Sequence, residues 1–227
     1  MRRLAAVLFL LCGLLVSCAP SGSRVSFRSV DGFALGGRIF GSGARGVILA
    51  HMYPTDQTSW FDEAGRLSRQ GYQVLTFDFR GYPGSGGTRD IGLIDRDVAG
   101  AIRFMTQRRK VRTVVLVGAS MGGTASLVAA ANEKVDGVAV LSAPVAFRGL
   151  DAEPFVAKVE APKLFIASVD DPSGAEGAAR QMYKAAFDPD SDLKLLPGRE
   201  HGTDILKGAS GEEAIRVLED FIKRASS

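Results

Sequence analysis

Cysteine and histidine are both scarce, with two of each in 227 residues. The cysteines, Cys12 and Cys18, fall at the very start, so the rest of the chain holds no thiol for a disulfide, a thiolate metal site or a cysteine nucleophile. The histidines, His51 and His201, stand far apart, and no cluster of ligand residues or glycine-rich phosphate loop accompanies them. No metal and no organic cofactor is therefore expected. Charge of one sign is also lacking: 28 Lys plus Arg stand against 25 Asp plus Glu. Without residues 1–17, which contain Arg2 and Arg3, the balance is 26 against 25, so the basic pI of about 9.0 owes something to that segment. The densest basic run, Arg108-Arg109-Lys110, reads as a solvated helix end, and nucleic acid is excluded as a partner. Internal repeats and low-complexity tracts are absent too.

What the N-terminus does have is a targeting pattern. Arg2 and Arg3 precede an apolar run over 4–16, too short to cross roughly 30 Å of hydrocarbon comfortably, and the better reading is a signal peptide. Leu15-Val16-Ser17-Cys18 resembles the lipobox of bacterial lipoproteins. That resemblance implies cleavage before Cys18, a lipid on Cys18, and attachment to a membrane of the bacterial cell envelope. Ala19 in the next position looks like an outer-membrane address where the envelope is Gram-negative. The plainer alternative is a secretory signal that happens to contain a cysteine. The expected organisation is a signal peptide over 1–17, lipidated Cys18 with a short tether to residue 23, and one domain over 24–227.

Within that domain, extended and helical patterns alternate. Runs over 25–30 and 33–40 flank Asp31-Gly32, a hairpin signal. Short apolar runs at 47–50, 73–77, 113–117, 137–141 and 163–167 suit strands buried on both faces. Helical spacing recurs at 60–70, 91–108, 121–132, 174–187 and 211–225. The pattern predicts an α/β fold, a mostly parallel sheet with helices on both faces and an antiparallel hairpin at its N-terminal edge.

The chemistry centres on Ser120. The run 113–117 leads straight into Gly118-Ala119-Ser120-Met121-Gly122 and then into a helical pattern. A serine in a strand-to-helix turn needs small neighbours, and the helix N-terminus points free amides at the place where negative charge would develop. The alternative is a glycine-rich turn of structural use alone. In this setting the chain resembles the α/β-hydrolase superfamily. The resemblance implies a triad in the order Ser, acid, His, with Ser120 as nucleophile and His201, in the loop 197–202, as base. The acid is expected after the run 163–167; family spacing favours Asp170, with Asp171 as the alternative. Two backbone amides complete the expected site, those of Met121 and Tyr53. The family's usual His-Gly-x-Pro reads His51-Met52-Tyr53-Pro54 here, so a methionine replaces the glycine.

Three other features read as structural. His51 braces its loop, the segment Asp78-Phe79-Arg80-Gly81-Tyr82-Pro83-Gly84-Ser85 is a turn tied down by polar side chains, and Trp60 is packing before it is cleft wall. Only 142–162 joins two of the predicted strands, with room for one short helix at most, which implies an open site without a lid. The expected activity is hydrolysis of small or accessible acyl esters, the partner being that small-molecule substrate. A peptidase or acyltransferase with the same triad, or an inactive binding lipoprotein of this fold, are the rivals.

Overall fold

The computed structural model describes residues 22–227. The segment read as a signal peptide, Cys18 and the first part of the tether lie outside the described residues. The Asp31-Gly32 signal does make a hairpin, from β1 (Ser23–Arg28) and β2 (Ala34–Phe40) paired antiparallel with Ser23 opposite Ile39. Strands and helices then alternate: β3 (Arg45–Ala50), α1 (Phe61–Arg69), β4 (Tyr72–Phe77), α2 (Asp95–Arg103), β5 (Thr113–Ala119), α3 (Met121–Ala130) and β6 (Gly137–Leu141). A two-stranded ribbon of β7 (Ala146–Phe147) and β8 (Leu150–Asp151) and the single turn α4 (Glu153–Val156) follow. The chain ends with β9 (Lys163–Ser168), α5 (Ala175–Ala185), β10 (Asp192–Leu196) and α6 (Gly211–Ala225). The eight-stranded sheet has the order β1-β2-β4-β3-β5-β6-β9-β10, parallel from β4 to β10.

Alternation of side chains along buried strands builds a core on each face. Ile48, Leu75, Leu116 and Val140 point to the layer formed by α2, α3 and α5, where Val98, Ile102, Leu127 and Met182 meet them. Val47, Leu49, Val115, Val117 and Ile166 point the other way, to Leu67 of α1 and Leu218 and Phe221 of α6. Each fully buried side chain of this size contributes roughly 1.5–3 kcal/mol. Trp60, wholly buried in the second layer, is core and takes no part in a cleft.

Two segments differ from expectation. The helical pattern over 91–108 is broken into a 3-10 turn (Ile91–Leu93), α2, and a π-helical turn (Phe104–Arg108). At the last break the Thr106 hydroxyl donates to the carbonyl of Ile102 at 2.9 Å, competing with the helical ladder. The 142–162 connection holds its one short helix but also the β7–β8 ribbon, which sequence periodicity could not show in two-residue strands.

The loop after β4 is fastened as its polar composition indicated. Asp78 accepts from the Gln57 and Gly84 N–H groups, each at 2.9 Å. Buried Arg80 reaches two carboxylates at once: Nη2 donates to Asp97 of α2 at 2.6 Å and to Asp31 of the hairpin turn at 2.8 Å, while Nη1 donates to Asp31 at 2.9 Å. Arg80's hydrogen bonds hold the Asp31 carboxyl far below the usual carboxylate range, against the opposing effect of burial.

Candidate active site

The chain leaves β3 toward β4 on one side and later returns to β5 on the other. The carboxyl ends of β3 and β5 therefore lie side by side where the strand order reverses, the place where open α/β sheets leave a crevice. Ser120 follows β5 directly, with φ 48° and ψ −121°. Its N–H donates to the Leu141 carbonyl at 2.8 Å, and its carbonyl accepts from Gly123 and Thr124, so the strained residue is held from both sides. The flanking glycines are required by close packing. A Cβ on Gly118 would lie 2.4 Å from the Gly122 carbonyl oxygen, and one on Gly122 would lie 2.5 Å from the carbonyl oxygens of Ala50 and His51.

His201 precedes a 3-10 stretch (Gly202–Lys207) that the sequence did not announce. Its Nδ1 lies 2.7 Å from Oδ2 of Asp171, whose side chain is 1% exposed. Asp171, and not the expected Asp170, thus faces the histidine. The reason is the register at the end of β9, which runs one residue further than predicted, to Ser168. Beyond it Val169 and Asp170 form a turn that the Asp171 N–H closes on the Ser168 carbonyl; their own N–H groups donate to the carbonyls of Leu196 and Gly198, and Asp170 is left exposed. Asp171, at the far side of this turn, is the residue that is buried.

Ser173 completes this corner, and sequence reasoning gave it no role there. Its N–H donates to Asp171 Oδ1 at 2.9 Å, and its hydroxyl lies 3.2 Å from His201 Nδ1. The signal was present in Asp171-Pro172-Ser173, because an aspartate commonly accepts from the backbone two residues on. Burial pushes the Asp171 carboxyl up, but the Ser173 and His201 hydrogen bonds outweigh it and hold it below its ordinary value. As a carboxylate, Asp171 accepts a hydrogen bond from Nδ1–H and so leaves the His201 Nε2 lone pair free.

Ser120, His201, Tyr53, Ser142 and Phe147 line one cleft of about 550 Å³. Among the described residues, neither the Tyr53 nor the Met121 N–H donates to a protein acceptor. Met52, standing where a glycine was expected, packs below the histidine loop, its sulfur accepting from the Thr203 hydroxyl at 3.8 Å and blocking any Cβ at Gly202. The second histidine is different. Burial lowers the pKa of His51, its Nδ1–H donates to the Met52 carbonyl, and its Nε2 accepts from the Phe79 N–H at 3.3 Å. Both nitrogens are committed, so His51 braces the loop and has no proton to move. Among the described residues no group of three or more His, Cys, Asp or Glu is placed to hold a metal.

A serine in a strained turn, a histidine oriented by a carboxylate, and free amides beside them form an arrangement suited to acyl transfer. A family model described as the alpha/beta hydrolase fold matches residues 47–169. The chain belongs to this family. No curated protein sequence matches significantly. Solved structures resemble it in fold. An esterase of Pyrococcus furiosus is 17% identical with a TM-score of 0.80, covering 91% of this chain and 92% of its own. An esterase from Exiguobacterium antarcticum is 17% identical with a TM-score of 0.74, covering 88% and 100%. The enol-lactonase from Burkholderia xenovorans is 17% identical with a TM-score of 0.70, covering 87% and 99%.

Proposed function

We propose that this protein is a serine hydrolase cleaving small or accessible acyl esters. The observation that carries the reading is the 2.7 Å bond from His201 to buried Asp171 in the cleft that strained Ser120 also lines. Ser120 Oγ attacks the ester carbonyl and passes its proton to His201 Nε2, while the Tyr53 and Met121 amides take the charge developing on the oxygen. The tetrahedral intermediate collapses to an acyl-enzyme, and the departing alcohol takes the proton from His201. Water then enters by the same steps in reverse, activated by His201, and releases the acid. Similarity in fold to two esterases and a lactonase supports ester hydrolysis, and the short 142–162 connection supports an unlidded mouth.

A fluorophosphonate probe tests this directly. Wild-type protein is expected to label covalently and Ser120→Ala protein is not; a folded wild type that fails to label overturns the reading. The same proposal includes the envelope address: Cys18 carries a lipid and attaches the enzyme to a membrane. Expressed in a bacterium fed labelled palmitate, the protein should take up label, and Cys18→Ser should abolish it and free the protein from membranes.

A further inference from the structure

The cleft mouth carries positive charge that the fold does not use. The β7–β8 ribbon turns through Arg148 and Gly149, both with positive φ, 47° and 89°. Asn, Asp or Gly fill the first position of such a turn with least strain, yet an arginine stands there. Its guanidinium lies 4.5 Å from the centre of the Tyr53 ring and 5.4 Å from that of Phe147, two residues that line the cleft beside Ser120. Arg89 sits in the same way 4.2 Å over Tyr82. Both guanidiniums act on the Tyr82 hydroxyl, where burial pushes the pKa up and their charge pulls it back.

Among the described residues, neither Arg89 nor Arg148 pairs with a carboxylate, although six other arginines do. Carboxylates near the ribbon serve other donors: Asp151 accepts from the Glu153 N–H and Glu153 from Gln181 Nε2. The ring contacts hold each guanidinium in place, and among the described residues none of its N–H groups donates to a protein acceptor. That is a prepared fork for an oxyanion, set at the lip of a cleft whose floor holds the serine.

We infer that the substrate carries an oxyanion, a carboxylate or a phosphate-like group, on the part that projects from the cleft, and that Arg148 with Arg89 binds it. This rests on the hydrolase reading for the word substrate, but the anion site itself is tested by binding alone. Ser120→Ala protein is titrated calorimetrically with monomethyl glutarate, dimethyl glutarate and the methyl ester of phosphonobutanoic acid. A charged ester should bind at least about tenfold tighter than the neutral one, as charge-assisted guanidinium bonds warrant. The gap should shrink as salt rises. Arg148→Gln in that background should largely close it, and Arg148→Lys, with charge but no fork, should restore part. The comparison of carboxylate with phosphonate identifies the preferred anion. Equal binding of charged and neutral esters, or a gap that survives both Arg148→Gln and Arg89→Gln, overturns the inference. Loss of fluorophosphonate labelling with the gap intact would instead sink the hydrolase reading and leave the anion site standing.

Discussion

A single residue of register decides which aspartate meets His201. Asp170 and Asp171 are chemically identical, and what separates them is their place in the turn after β9: Asp170 lies in its exposed middle, and Asp171 closes it and is buried. Asp171→Asn should therefore lower kcat on a short-chain ester by about three to four orders of magnitude, the scale seen when a triad histidine loses its orienting carboxylate. Asp170→Asn should change it by no more than about twofold. Steady-state rates of the two variants side by side check this, and equal losses would contradict it. Ser120 and His201 could be singled out because residue type, order and local context coincide. The acid could not, because adjacent identical side chains differ only in the direction of a loop whose backbone partners come from β10, far along the chain.

At the scale of elements, the turn after β5 works because α3 is pressed against the end of β3. Gly122 touches the carbonyls of Ala50 and His51, which are backbone and cannot swing aside. Gly122→Ala should cost about 1–3 kcal/mol by overpacking, a fall of roughly 2–12 °C in Tm for a domain of this size, measured by calorimetry. It should also depress kcat, since the loop it pushes carries the Tyr53 amide. A second element contact predicts a pH dependence. Glu63 of α1, facing Arg66, Asp62 and Glu219 of α6, is pushed up to about 7 chiefly by burial. A carboxyl whose pKa is raised in the folded state costs nothing while protonated. Its penalty grows as pH rises from about 4.5 and is complete a little above 7, at about 3 kcal/mol by linkage. Glu63→Gln should accordingly raise Tm more at pH 8 than at pH 5, and an equal change at both would refute the assignment. Strand and helix order was readable from periodicity, because buried parallel strands are nearly unbroken apolar runs. The β7–β8 ribbon was not, since two-residue strands carry no period.

For the whole molecule, the α/β class and the mostly parallel sheet opened by a hairpin follow from alternation along the chain. The cleft does not, because its walls come from segments after β3, β5, β6, β9 and β10 that meet only when the sheet is assembled. The Arg80 cluster adds a constraint on what can exist as an independent piece. The family match begins at residue 47, after the hairpin, and ends at 169, before His201. A fragment cut to those limits would keep Arg80 and Asp97 but lose Asp31. A guanidinium that reaches two carboxylates would then reach one, and the sheet would lose both strands of its hairpin. Marginal stability of about 5–15 kcal/mol for a domain leaves little room for such a cut. The most recognisable half of this sequence is thus no modular unit: insertion, shuffling or trimming at the hairpin would be felt in the loop that carries Arg80 and Tyr82, next to the His51 ring and Met121, and evolution must move the two together.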